Sequence, residues 1–123
     1  MIFTMNYHID KNLDTPLVLK TYELYKTFYN YLILFPKKDK YSLGVRCEEY
    51  ILTVLELLVA ASSTSKDRKL ILVQQTSVKF DTLKILLRLT KDIKALDEKK
   101  YIILQKDIQE IGKMLGGWQR SLI

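Results

Sequence analysis

The 123 residues fit a single domain, and an apolar content of 48% is enough for a small core. With Cys47 as the only cysteine an intrachain disulfide is excluded and a reducing compartment fits best, and with His8 as the only histidine a histidine-based metal site or a Ser–His or Cys–His pair has almost nothing to draw on. The net charge of +6 is unevenly spread: residues 66–96 carry eight Lys or Arg against three Asp, whereas residues 42–65 carry one Arg against three Glu, so one segment is suited to a polyanionic partner.

Residues 1–14 show no stable period and read as an irregular amino-terminal arm. They lack the basic end and apolar run of a signal peptide, and no stretch approaches the ~20 apolar residues of a membrane span. The expectation is a soluble cytoplasmic protein with no membrane partner.

Residues 15–123 read as one bundle domain. Thr15-Pro16 opens the first helix, a capping hydroxyl followed by proline at the first helical position, and Pro36 closes it. Leu17, Leu24, Phe28, Tyr31 and Phe35 form one apolar stripe. Val18, Tyr22, Tyr25, Tyr29 and Leu32 form a second beside it. Its tyrosines suit base stacking, but a core edge or subunit contact is the commoner role of such a stripe. Pro36-Lys37-Lys38-Asp39-Lys40 reads as a short basic loop, with Ser42 capping a second helix that runs to about residue 62. Leu43, Cys47, Tyr50, Val54, Leu57 and Ala61 line its inner face, widened by Ile51, Leu55, Leu58 and Val59. Cys47 is therefore expected as a packed thiol.

After the polar break at residues 62–66, Asp67 is the expected cap of the longest helix, about 67–96. Ile71, Val78, Ile85, Leu89 and Leu96 are its expected core stripe, broadened by Leu72, Leu83, Leu86 and Ile93. Its polar stripe is Gln74, Ser77, Asp81, Lys84, Arg88, Lys91 and Ala95, stepping by three and four residues. Residues 97–100 start the last helix, whose seam is Tyr101, Leu104, Ile108, Ile111, Leu115 and Trp118. Gly116-Gly117 is expected to end or loosen it.

Four amphipathic helices with short links pack as an all-α, antiparallel up-down-up-down four-helix bundle. Its apolar faces are wider than one small core uses, which points to an oligomer. Enzyme signatures are absent: there is no glycine-rich phosphate loop, and the acids of the second helix lack the Glu-x-x-His spacing of a di-metal bundle. No catalytic residue, metal or cofactor is assigned. Lys84, Arg88 and Lys91 remain as a row able to meet successive phosphates, with Lys94 one residue round from it. Asp81 and Asp92 stand close enough to answer part of that charge.

Three stretches carry a family likeness: Tyr22-Glu-Leu-Tyr-Lys through Phe35-Pro-Lys and Tyr41-Ser-Leu-Gly-Val-Arg46, then Asp81-Thr-Leu-Lys-Ile-Leu-Leu-Arg-Leu89, and the ending Glu110-Ile-Gly-Lys-Met-Leu-Gly-Gly-Trp-Gln-Arg-Ser-Leu122. From Leu17 to Leu122 the chain resembles the Avd family, the accessory variability determinants of diversity-generating retroelements. The resemblance implies a homopentameric, barrel-like ring of four-helix bundles. It also implies a non-catalytic partner of the retroelement reverse transcriptase that binds RNA or DNA and supports mutagenic retrohoming. Basic residues of the family fall on Arg46, Lys84, Arg88, Lys113 and Arg120, and with Lys91 these are the candidate nucleic-acid contacts. Lys84 and Lys113 stand where the family carries Arg, replacing a two-pronged donor by a point charge. The alternative is an interaction bundle of the type encoded in ribosomal RNA intervening sequences, with no polymerase partner. The Asn-Ile-Ala-Glu-Gly stretch associated with that type is absent.

Overall fold

The computed structural model describes residues 14–123. The amino-terminal arm, and with it His8, lies outside the described residues apart from Asp14. Helix α1 spans Asp14–Leu32, α2 Lys37–Asp39, α3 Val45–Ser62, α4 Lys66–Asp92 and α5 Glu98–Ser121; no strand occurs among the described residues. A π-helical turn, Lys40–Gly44, joins α2 to α3. The four long helices pack as a closed ring of neighbours, α1 on α3, α3 on α4, α4 on α5 and α5 on α1, which leaves α1 and α4 diagonally opposed. Lys20 of α1 meets Glu110 of α5 while Tyr31 meets Lys100, so this pair runs antiparallel. Ser77 with Gln119 and Lys91 with Tyr101 show the same for α4 and α5. No helix among the described residues is long and apolar enough to cross a membrane.

Each long helix sends a 3.6-residue apolar pattern inward. From α1 come Leu17, Val18, Leu24, Phe28 and Leu32; from α3 Cys47, Ile51, Val54, Leu58 and Ala61; from α5 Leu104, Ile108, Ile111, Leu115 and Trp118. These three faces agree with the periodicity of the sequence. At the end of α1 the chain turns through Phe35, whose ring meets Phe28 edge-on at 5.9 Å. Gly44 sits buried beneath this corner. A Cβ there would collide with the Leu32 side chain and stand 3.1 Å from the Asp39 carbonyl, so only glycine admits so close a pass.

Several boundaries differ from expectation. The first helix opens at Asp14, inside the expected arm and ahead of the expected Thr15 cap, and ends at Leu32, short of Pro36. Residues 37–44 are helical rather than a loop, and Ser42 caps nothing. Its hydroxyl donates back to the Lys38 carbonyl at 2.7 Å. Ser65, not Asp67, is the N-cap of α4, and Asp67 lies in the first turn, where its charge suits the helix dipole. The last helix, α5, passes straight through Gly116-Gly117 to Ser121.

The main correction concerns α4. Ile71, Val78, Ile85 and Leu89, the expected core stripe, face outward, with Val78 and Ile85 65% and 69% exposed; Ile93, just past the helix, is exposed too. The buried side is Val73, Thr76, Phe80, Leu83, Leu87 and Thr90. Two threonines disguised this face. Thr76 donates to the Leu72 carbonyl at 2.7 Å and Thr90 to the Leu87 carbonyl at 2.6 Å, so each hydroxyl is satisfied by its own helix and the methyl group packs. The helix also stops at Asp92 rather than running to 96. Ala95 and Leu96 donate their backbone N–H groups to the Thr90 carbonyl and Lys94 donates to the Lys91 carbonyl, a Schellman closure with Lys94 at φ 65°. Ala95 thus leaves the expected polar stripe and is buried, as is Leu96.

Candidate nucleic-acid interface

The predicted contacts fall on three separate faces. Lys84, Arg88 and Lys91 lie on the flank of α4 that meets α5, as the Lys91–Tyr101 and Ser77–Gln119 contacts fix. This row is substantially answered by its own helix. Lys84 Nζ stands 3.1 Å from Asp81 Oδ1 and 5.4 Å from the Phe80 ring centroid. Arg88 Nε is 3.4 Å from Asp92 Oδ1, and Lys91 is half-buried over Tyr101 at 5.3 Å. Surface pairs of this kind contribute at most ~1 kcal/mol, so they do not lock the side chains, but they cut the net charge of the row. Lys94 has turned away into the left-handed cap.

Arg46 is on α3, across the bundle surface from that row. It lies 4.0 Å from Glu49 and lines a shallow groove with Glu49, Tyr50, Leu52, Thr53 and Lys79. Lys79 reaches over the Tyr50 ring at 5.4 Å, so α4 sends a cation to each of its flanks.

Lys113 and Arg120 lie on the outward side of α5, and the structure aligns two further cations with them that sequence reasoning missed. Lys99, Lys106, Lys113 and Arg120 recur at strict seven-residue steps, all exposed. Seven residues advance the helix about 10.5 Å and return nearly to the same side. None of the four is in an ion pair among the described residues. Two of the three acids of α5 are engaged elsewhere: Asp107 and Glu110 face α1, 3.8 and 3.0 Å from Lys20, and the bond to Glu110 raises the Lys20 ammonium above its ordinary pKa, which leaves only Glu98, the neighbour of Lys99, exposed on this helix without an ion pair among the described residues. At the helix start, the Asp97 carboxylate accepts from Lys100 Nζ and from the Lys100 backbone N–H, both at 2.8 Å. The side-chain bond comes first among the causes that lower the Asp97 pKa, and it raises that of Lys100. The signal for this row was the seven-residue repeat itself, hidden by a segment net charge of only +1.

The tyrosines of α1 divide. Tyr25 is half-buried and donates to Glu48 Oε2 of α3 at 2.9 Å; burial, then this bond, raises its pKa. It is a core-edge tether. The Tyr29 ring lies 6.2 Å from that of Tyr25 and is exposed, as are Leu19 on the same helix and Ile33 just past its end. An apolar outer stripe on α1 therefore stands diagonally opposite the one on α4.

Cys47 is buried, and desolvation pushes its thiol up to about 12. Among the described residues no group of three or more His, Cys, Asp or Glu is placed to hold a metal ion. No curated protein matches the chain. A family model described as bAvd-like matches residues 17–122, the same span that carries the likeness in the sequence.

Proposed function

The chain belongs to the bAvd-like family, and from this premise we propose that it is the non-catalytic accessory protein of a diversity-generating retroelement, binding the reverse transcriptase and the template RNA or its cDNA. The observation that carries the reading is the family match over nearly the whole bundle. The exposed, unpaired cations of α5 support a nucleic-acid contact, since each phosphate neutralised releases counterions. Lys84, Arg88, Lys91 and Arg46 add to the basic surface, with charge partly offset by Asp81, Asp92 and Glu49.

Self-assembly, as a homopentamer in this reading, is supported by the two opposed apolar stripes. A face on α1 and a different face on α4 suit a head-to-tail contact between identical copies, the kind that closes rings when the rotation permits. A ring would repeat the cationic face of each copy, so weak single contacts act together.

The test is mass in solution, alone and with the reverse transcriptase of a diversity-generating retroelement. A discrete pentamer that shifts to a larger complex with the enzyme is expected. A monomer that ignores the enzyme sinks both parts of the proposal.

A further inference from the structure

Mid-helix glycine is destabilising by about 1 kcal/mol relative to alanine, and α5 carries Gly116 and Gly117 in succession. Their backbone does not require it, because no glycine of the described residues has positive φ. Nor does internal packing. Gly44 is pinned by the Leu32 and Phe35 side chains and the Asp39 carbonyl, and Gly112 lies against the Phe80 ring. By contrast, among the described residues a Cβ on Gly116 would meet only Arg120 Nη1, at 3.3 Å, and one on Gly117 only Arg120 Nη2, at 3.9 Å. Both contacts are with the far end of one flexible side chain. What these glycines leave bare is the outer surface of the helix, in the turn between Lys113 and Arg120.

We infer that Gly116 and Gly117 form a close-approach point, where the sugar–phosphate backbone of a nucleic acid lies directly on α5 between Lys113 and Arg120. The charge of the strip selects the occupant. Lys99 and Lys106 continue the same line toward the start of the helix, and the Asp107 and Glu110 carboxylates are turned to Lys20 on α1. Arg120 already lies along the bare turn, and its planar fork can meet two phosphate oxygens at once. Alanine methyl groups at 116 and 117 would hold a ribose or phosphate off the helix without removing any charge. A second copy of the chain is the competing occupant, but the exposed aliphatic residues of α1 and α4 suit a contact between copies better than a cationic strip does.

This inference rests on the nucleic-acid reading above, and its test separates the two. The full-length protein is titrated with a labelled single-stranded RNA of mixed sequence and with the DNA of the same sequence, across a salt series. Measured beside it are Gly116→Ala/Gly117→Ala and Lys113→Ala/Arg120→Ala, with melting temperature and solution mass for each. The alanine pair at 116 and 117 is expected to melt higher than wild type, keep its mass, and bind about tenfold more weakly, a difference of ~1.4 kcal/mol. The Lys113/Arg120 variant is expected to lower the log–log salt slope by about one for each phosphate it no longer neutralises. Wild-type protein that binds neither nucleic acid overturns the reading and this site with it. Wild-type binding that the glycine replacements leave unchanged overturns the close-approach point alone. A change of mass in the glycine variant assigns the bare turn to a contact between copies, and also overturns it.

Discussion

Helices α4 and α5 have similar lengths and both look basic and amphipathic in the sequence, yet they are used in opposite ways. Helix α4 pairs two cations of its expected binding row, Lys84 with Asp81 and Arg88 with Asp92, and turns aliphatic residues outward. Helix α5 buries a clean seam from Leu104 to Trp118 and shows solvent a line of cations without ion-pair partners. A tally by segment ranks α4 far above α5, at +5 for residues 66–96 against +1 for residues 97–123. The tally misleads because three of the four acids it counts in residues 97–123, Asp97, Asp107 and Glu110, engage Lys100 and Lys20 rather than the outward row, and only Glu98 is left beside it. Charge available to a partner depends on where the counter-charges point.

The sharpest way to break this comparison is to exchange its two sides on α4. Leu87→Ala removes a fully buried side chain and is expected to destabilise by about 2–5 kcal/mol in urea unfolding. Ile85→Ala, at a position 69% exposed, should leave the stability of the individual bundle within ~0.5 kcal/mol. Equal losses would mean that the core face has been assigned to the wrong side. Ile85→Lys should keep full helical circular dichroism while lowering the solution mass, and unchanged mass would remove α4 from the subunit contact.

A second comparison concerns binding. Lys99→Ala/Lys106→Ala should lower the salt slope of RNA binding by about two, one for each unpaired cation. Lys84→Ala/Arg88→Ala is expected to change it less, because Asp81 and Asp92 already offset the charge of that row. The reverse ranking would restore α4 as the principal contact.

A smaller effect is expected at the junction of the two helices. Lys94 occupies the left-handed position of a Schellman closure where glycine is the usual residue, so Lys94→Gly should raise stability by about 1 kcal/mol. A melting temperature at or below wild type would show that the lysine is held there by contacts outweighing its strain.

The smallest effect belongs to the cap of α5. Asp97 is held below its ordinary pKa, so its contribution is present above the unfolded carboxylate range and lost as pH falls through the lower folded value. An acid titration should therefore show Asp97→Asn losing less stability than wild type between neutral pH and the low carboxylate range. Parallel curves would discard the cap as a source of pH dependence.

Much of this was legible beforehand. Four helices, the polar break before α4, a buried Cys47 and the seam Leu104-Ile108-Ile111-Leu115-Trp118 follow from spacing, most plainly on α5, where one apolar stripe dominates. On α4 two apolar stripes compete at the same period. One contains Ile71, Val78, Ile85 and Leu89, and the other mixes Val73, Phe80, Leu83 and Leu87 with Thr76 and Thr90. Periodicity carries no sign saying which of them faces inward. The same holds for the interface residues. Lys113 and Arg120 came from the family likeness, whereas the row they share with Lys99 and Lys106 became visible only when Asp107 and Glu110, between Lys106 and Lys113, were seen to turn toward α1.

The amino-acid sequence by itself determined an all-helical chain, the family to which it belongs and the surplus of positive charge, since these depend on local spacing and residue type. Only the tertiary structure decided which side of α4 is core, which of the described cations stay exposed without an ion pair, and that among the described residues the turn at Gly116-Gly117 is met by the Arg120 guanidinium alone. Those are questions of which neighbour lies opposite each face, and the packing of α1, α3 and α5 answers them through contacts that no single helix encodes.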